Sequence, residues 1–297
     1  MNFFANPRKI RKTARPTSDS IKLNLLRALA YVFLVLIAMF CLFPFLILIT
    51  NSTRLHSELL SKFYLVPGGH FFQNLNNVLF DANIPLIKGL CNSVFIATLT
   101  AVLSTYFSSM TAFGIFMYDF KWRNFAFSFI MFILMVPTQV SALGFLRLVD
   151  KMKMMNTYWP LILPSIAAPA VFFYMKQYMD SVVPKEMVEA ARVDGSNEFM
   201  TFNRIVLPVI KPALAVQGIF SFVTSWNNYF IPVLVINSKN KKTIPILIAE
   251  LRSADYMKFD LAKVYIMIFI AIIPLIVVYL FLSRFIIENL TLGSVKG

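Results

Sequence analysis

Six long stretches of this chain contain no Asp, Glu, Lys or Arg: residues 28–53, 89–118, 124–146, 154–175, 212–238 and 264–283, together half of the sequence. Charges crowd into the segments between them. Polar and apolar positions therefore alternate on the scale of twenty residues, not of a helical turn or a strand pleat. A hydrocarbon core about 30 Å thick takes about 20 apolar residues per helical crossing, and all six stretches reach that length. In lipid each backbone N–H and C=O must be satisfied within the structure itself, which favours helices for runs of this kind. The pattern predicts an all-α, polytopic membrane protein with six transmembrane helices. Composition agrees: 58% of residues are hydrophobic and 14% charged, against about 25% charged in a soluble domain. That balance excludes a disordered chain, which is poor in apolar residues and rich in charge.

The stretches differ in polarity. The second carries Asn92, Ser93, Thr98, Thr100, Ser104, Thr105, Ser108, Ser109 and Thr111, a pattern that suits close interhelical packing. In the fifth, Gln217, Ser221, Thr224 and Asn228 recur at i, i+4, i+7 and i+11 and stack on one helix face. An amide-bearing stripe is costly against hydrocarbon and reads as the wall of a wet pathway. Prolines at 44, 137, 160, 164, 169, 232 and 274 predict bends.

Net charge is +14, which by itself suggests nucleic acid. The placement argues otherwise. Seven cations (Arg8, Lys9, Arg11, Lys12, Arg15, Lys22 and Arg27) precede the first stretch, as the positive-inside bias and anionic lipid require. With that N-terminus inside, loops 54–88, 147–153 and 239–263 fall outside, and 119–123, 176–211 and the C-terminus inside. The division is a basic segment 1–27, a transmembrane domain 28–287 with an inner loop 181–208, and a tail 288–297. Loop 54–88 has an apolar run around Phe63–Val66 broken by Pro67, Gly68 and Gly69, and reads as an ordered or interfacial element. The first stretch is too long for a signal peptide and reads as an uncleaved anchor. Cys41 and Cys91 both fall in spans, as two apolar thiols.

Several chemistries lack their residues. No glycine is followed by lysine, so there is no phosphate-binding G-x-x-x-x-G-K-[ST] and no ATP hydrolysis by this chain. Neither G-x-S-x-G nor H-E-x-x-H occurs; His56 and His70, both in loop 54–88, read as loop residues rather than metal ligands. No ionisable group lies within the six stretches, as a proton relay at bilayer depth would need. Energy for uphill movement would then enter from outside the bilayer, and a neutral solute fits better than a charged one.

The inner loop is the specific part. It reads Ser181-Val-Val-Pro-Lys-Glu-Met-Val-Glu-Ala-Ala-Arg-Val-Asp-Gly-Ser-Asn-Glu-Phe199. Pro184 is placed to open a helix, and Glu189 can pair with Arg192 at i, i+3. Gly195 can end the helix in a left-handed conformation, and Ser196 or Asn197 can cap the next. A second segment, apolar at Phe199, Phe202, Ile205 and Val206, runs to Leu207-Pro208.

These residues resemble a family. Glu189-Ala190-Ala191, Gly195 and Ile205-x-Leu207-Pro208 are similar, at the family's spacing, to the EAA loop of ABC importer permeases. Leu207 to Ala215, Phe220-Ser-Phe and Ser225-Trp-Asn-Asn228 resemble the fifth helix of carbohydrate importer permeases, with Asn228 where many relatives carry Asp. Asn92-Ser93 opening the second stretch fits those permeases too, and the ending Glu288 to Gly297 resembles the short tail of the maltose-type second permease. The resemblance implies a type I ABC importer permease fold in a prokaryotic cytoplasmic membrane, with both termini cytoplasmic. It further implies a transport subunit, not an enzyme, for a sugar or oligosaccharide. Its partners would be a second permease, two ATPase subunits that bind ATP and Mg, and an extracytoplasmic solute-binding protein; this chain would hold no cofactor or metal. Glu186, Glu189, Ala190, Ala191, Asp194, Gly195, Leu207 and Pro208 would couple to the ATPase. Gln217, Ser221, Thr224 and Asn228 would line the pathway, and Gly293, Ser294 and Lys296 would touch the ATPases. A permease for a non-sugar solute, or a secondary carrier, are the rival readings.

Overall fold

A computed structural model describes residues 18–254 and 259–293, with side chains from 22 to 283 in those ranges. The described residues are helical throughout, without strands: α1 (Ser18–Ser52), α2 (His56–Ser61), α3 (Phe71–Leu79), α4 (Leu86–Met117), α5 (Arg123–Leu134), α6 (Thr138–Lys151), α7 (Trp159–Ile162), α8 (Pro169–Val182), α9 (Lys185–Val193), α10 (Glu198–Thr201), α11 (Leu207–Val209), α12 (Lys211–Trp226), α13 (Phe230–Val235), α14 (Ile244–Arg252) and α15 (Leu261–Gly293). Four helical stretches are long and apolar enough to cross a membrane: Lys22–Ser52, Leu86–Met117, Trp159–Val182 and Leu261–Ser283. Two bent pairs complete a set of up to six, α5 with α6 at 99° and Glu198–Val209 with α12 at 83°.

Three of the six expected spans differ in shape from straight helices, for identifiable reasons. The third, 124–146, breaks between Leu134 and Thr138, where Pro137 has no N–H and disfavours helical backbone before it. The fourth, expected from 154, starts at Trp159. Residues before it are held in a turn, with Asn156 left-handed at φ 59°. Its Oδ1 accepts from the backbone N–H of Asn237 at 3.2 Å and of Ser238 at 3.0 Å. The fifth, expected over 212–238, stops at Trp226 and resumes as α13 after Asn227-Asn228-Tyr229. Pro232 would clash with the carbonyl of Asn228 in a continuous helix, and paired asparagines compete for the backbone. Pro44 and Pro274 lie inside continuous helices.

Helix α4, 32 residues and about 48 Å long, is the axis of the molecule. It packs against α8 and α12 along most of its length. Of its hydroxyls, Ser104, Thr105, Ser108 and Ser109 are buried. Thr105 donates back to the carbonyl of Ala101 at 2.7 Å and Ser109 to that of Thr105 at 2.6 Å. Ser108 crosses to the carbonyl of Ala168 at 3.2 Å. Most of this stripe is thus packing: small hydroxylated residues satisfy themselves and let helices approach.

One end of α4 carries an ordered cap built from loop 54–88 and residues 239–254. Val78, Ile84, Leu86, Ile244, Leu247, Ile266 and Met267 form its core. Gly89 lets Leu247 approach so closely that a Cβ there would lie 2.6 Å from Leu247 Cδ1. Asn92 donates to the carbonyls of Asn240 and Lys242, both at 3.0 Å, and Ser93 Oγ accepts from Ile244 N–H at 2.9 Å. Asn92-Ser93 therefore anchor a loop 150 residues away. His56 accepts from Leu261 N–H through Nδ1 at 3.0 Å, capping α15, and His70 meets Gln73. Asn74, buried, donates to the carbonyls of Ser52 at 3.0 Å and Arg54 at 2.8 Å. Asn74→Leu strands both acceptors, so the unfolding free energy is expected to fall by about 1–3 kcal/mol, read from the thermal midpoint of the purified protein. An unchanged midpoint would show that the cap contributes little.

Candidate functional site: an exposed hairpin and the groove it adjoins

The opposite end of α4 carries the 181–208 loop. Helix α9 opens after Pro184, which sits as its N-cap at φ −66° and ψ 134°. Only one face is apolar and turned inward: Val188 is fully buried and Ala191 is 6% exposed, while Glu186, Glu189 and Ala190 are exposed. The two alanines therefore do different things, Ala191 seating the helix on the bundle and Ala190 leaving a flat outer face.

The helix ends as Gly195 predicts. Gly195 takes φ +81°, its N–H donates to Arg192 O at 3.0 Å, and Ser196 N–H donates to Ala191 O at 3.0 Å. This is the two-bond Schellman ending. Asp194, exposed, is the last residue before the turn. Asn197 then caps α10, its Oδ1 accepting from Met200 N–H at 2.8 Å. The chain continues through a wide π-type turn, residues 202–206, into α11, where Leu207 is half-buried and Pro208 exposed. The second segment's apolar residues divide: Phe202 and Val206 are buried in the core with Phe113, Phe116, Met179 and Val183.

The Glu189–Arg192 pair does not form. Arg192 turns across the bend and donates from Nε to Glu198 Oε1 at 2.6 Å, with its guanidinium 5.4 Å above the Tyr118 ring. That hydrogen bond holds the Glu198 carboxyl below its ordinary range and lifts Arg192 further above its own. A depressed carboxylate pKa stabilises the fold above its unfolded value and loses that contribution as pH falls through the folded one. The bridge is thus intact at neutral pH and loosens only in acid. Spacing along one helix could not reveal it, because its partner lies beyond the glycine turn.

Two exposed apolar side chains flank that turn, Val193 at 87% and Phe199 at 65% exposure. The sequence signal was available: Val193 interrupts the polar face of α9 immediately before the bend.

The pathway candidates converge as well. Gln217, Ser221, Thr224 and Asn228 all line one groove of about 800 Å³ between α4, α8 and α12. Gln217 lies at its buried side, and Thr224 and Asn228 are exposed. Thr100 and Ser104 of α4, Thr138 of α6, and the aromatic rings of Tyr174 and Phe220 also line it, among apolar residues such as Leu134, Leu161, Val171 and Val216. Among the described residues no Asp, Glu, Lys or Arg lines it. Such a surface offers hydroxyls, amides and ring faces to a solute and no compensation for a charge. Gly293 closes helix α15; Ser294 and Lys296 lie outside the described residues.

The chain is similar to known proteins along most of its length. The family model described as binding-protein-dependent transport system inner membrane component matches residues 104–290. An arabinooligosaccharide transport permease of Halalkalibacterium halodurans is 35% identical over 264 residues, spanning 88% of this chain and 93% of the relative. A lactose transport permease of Rhizobium radiobacter is 30% identical over 90% of this chain and 95% of its own. A glycerol-3-phosphate transport permease of Brucella abortus is 32% identical over 76% and 82%. Among solved structures, a chain of a bacterial ABC transporter that imports the acidic polysaccharide alginate superposes with TM-score 0.74 at 19% identity, covering 92% of this chain and 99% of its own.

Proposed function

The chain belongs to the family of binding-protein-dependent transport system inner membrane components, and from that premise we propose that it is one of two non-identical permeases of an ATP-driven importer for an uncharged sugar or oligosaccharide. Relatives are named for both neutral and anionic cargo, lactose and glycerol-3-phosphate among them. The groove supports the neutral reading. Its largely apolar wall, with hydroxyls, two amides and two rings, carries no cation among the described residues to meet a phosphate or uronate.

The observation that carries the coupling role is the position of the 185–201 hairpin. It displays Glu186, Glu189, Ala190 and Gly195 at one end of α4, and α4 also supplies Thr100 and Ser104 to the groove. In this reading the hairpin docks on a cytoplasmic ATPase subunit. Glu189 gives that partner an anion, Ala190 and Gly195 permit close approach, and Val193 and Phe199 supply the apolar contact. ATP and Mg belong to two such subunits, and this chain holds no cofactor or metal. Closure of the ATPases moves the hairpin and opens the groove outward to take sugar from a solute-binding protein; hydrolysis resets it. Such alternating access is rocking of packed bundles about a central site. Both termini, the basic segment 1–27 among them, are cytoplasmic in this reading, and the tail at Gly293, Ser294 and Lys296 is the part that would touch the ATPases.

Glu189→Lys tests this. In complex reconstituted with its partners, the variant chain inserts normally. Stimulation of ATP hydrolysis by sugar-loaded binding protein falls about tenfold or more, since a charge-assisted contact is worth about 1.5–3 kcal/mol. Normal stimulation would contradict the docking role.

A further inference from the structure

The hairpin is not hung loosely from the bundle. Its two helices and the end of α4 are joined by side chains outside the docking face. Arg192 on α9 and Glu198 on α10 close the bend with a 2.6 Å bond. Tyr118, the residue that ends α4, lies under the guanidinium at 5.4 Å, a cation–π geometry. A cation there also meets the negative end of the α4 dipole. Arg123 reinforces that end, donating from Nε to Ile115 O at 2.8 Å.

Behind this clasp runs a column of rings. Tyr118 meets Phe113 at 6.2 Å, Phe113 meets Phe202 at 5.5 Å, and Phe202 meets Tyr106 at 5.9 Å. Tyr106 then donates from its hydroxyl to Asn203 Oδ1 at 3.1 Å. The hairpin is therefore held to the end of α4 by the clasp at Tyr118, by Val188 of α9 buried in one core with Phe116 and Met117, and, just beyond the hairpin, by buried Phe202. Of these contacts the clasp is the one that ties both sides of the bend to Tyr118. From Met117, the last helical residue before Tyr118, to Ser104 in the groove wall is thirteen residues along unbroken helix, about 20 Å.

We propose that Arg192 and Glu198, clasped over Tyr118, are positioning residues that make the 185–201 hairpin and α4 move as one body, so that displacement of the hairpin reaches the groove wall as displacement of Thr100 and Ser104. Neither residue needs to touch the ATPase. Breaking the clasp leaves the docking face in place, on Val188, and loosens the bend relative to α4, so that less of its displacement is carried. ATP hydrolysis then continues while transport falls behind it. This inference rests on the docking reading above, and its test separates the two.

The test uses the complete transporter in vesicles, with Cys41 and Cys91 replaced by serine and a cysteine at Ala190 as a cross-linking reporter of docking. Arg192→Gln, Glu198→Gln and the exchange Arg192→Glu with Glu198→Arg are compared by sugar imported per ATP hydrolysed. The single variants are expected to retain the cross-link and binding-protein-stimulated hydrolysis while import per ATP drops about tenfold, the upper range for a coupling contact. The exchange restores at least half of it, which loss of fold could not do. Wild-type import per ATP in the single variants, or an exchange as poor as they are, overturns the clasp alone. Absence of the cross-link in the parent complex overturns the docking reading and the clasp with it.

Discussion

Gly195→Arg is expected to leave the permease folded in the membrane and to abolish stimulation of the partner ATPase, while Gly195→Asn retains most of it. The argument has two parts. At φ +81° an ordinary L-residue is strained by about 1–2 kcal/mol, and asparagine is the one that tolerates this region best. That strain is too small to unfold the chain. A Cβ at Gly195 meets nothing within 4 Å inside the chain, so arginine has no internal clash and its bulk projects from the bend. If the bend inserts in a partner's cleft, the arginine blocks insertion, whereas asparagine perturbs it by little more than its own size. If the bend faces only solvent, the two variants behave alike. ATPase rates of the reconstituted complex, with and without loaded binding protein, distinguish these outcomes. Equal stimulation in both variants would remove the docking role from this turn.

Thr224→Trp carries the second large effect: import is expected to stop while docking of the ATPase and its basal hydrolysis persist. Thr224 is exposed at the groove, and Gln217, Ser221 and Asn228 share its wall. The added indole enters the open space rather than the packed core, where Phe222 and Trp226 stack on the other face of α12. Overpacking penalties of about 1–3 kcal/mol belong to filled interiors, so assembly is spared. Thr224→Ser, which keeps the hydroxyl and adds no bulk, transports normally. Uptake of labelled sugar into vesicles measures this directly, and full uptake by the tryptophan variant would place the solute's route elsewhere.

Much of this was legible before any coordinates. Twenty-residue gaps in charge located the helices that cross, because the hydrocarbon core enforces both length and polarity. The stripe Gln217–Ser221–Thr224–Asn228 could be read from helical spacing and does face one groove. The Gly195 turn and the Asn197 cap followed from local chemistry, which requires neither neighbours nor packing. Tertiary partners were not readable in the same way. Arg192 had two carboxylates within reach, and only the fold of the turn chose Glu198 over Glu189. Ala190 and Ala191 are identical in sequence yet one is exposed and the other buried, a distinction set by where α9 lies on Val188 and its neighbours. Bends at Pro137 and Pro232 could be read from the prolines. The 99° angle at the first and the early stop at Trp226 could not, since hydropathy reports what a segment dissolves in and not how far its helix turns. Pro44 and Pro274, expected to bend, lie inside continuous helices. Asn92-Ser93, read from the sequence as packing residues that also fit the family, proved to be the anchor of the 239–244 loop.

The central claim is that the bend at Gly195 is covered by a nucleotide-driven partner. A cysteine at Val193, which is 87% exposed in this chain alone, reports on it most directly, in a background where Cys41 and Cys91 are serine. In inside-out vesicles a membrane-impermeant maleimide is expected to label Val193→Cys rapidly when the ATPase subunits have been stripped away and slowly once they are restored. Labelling at one unchanged rate in both preparations would contradict the account.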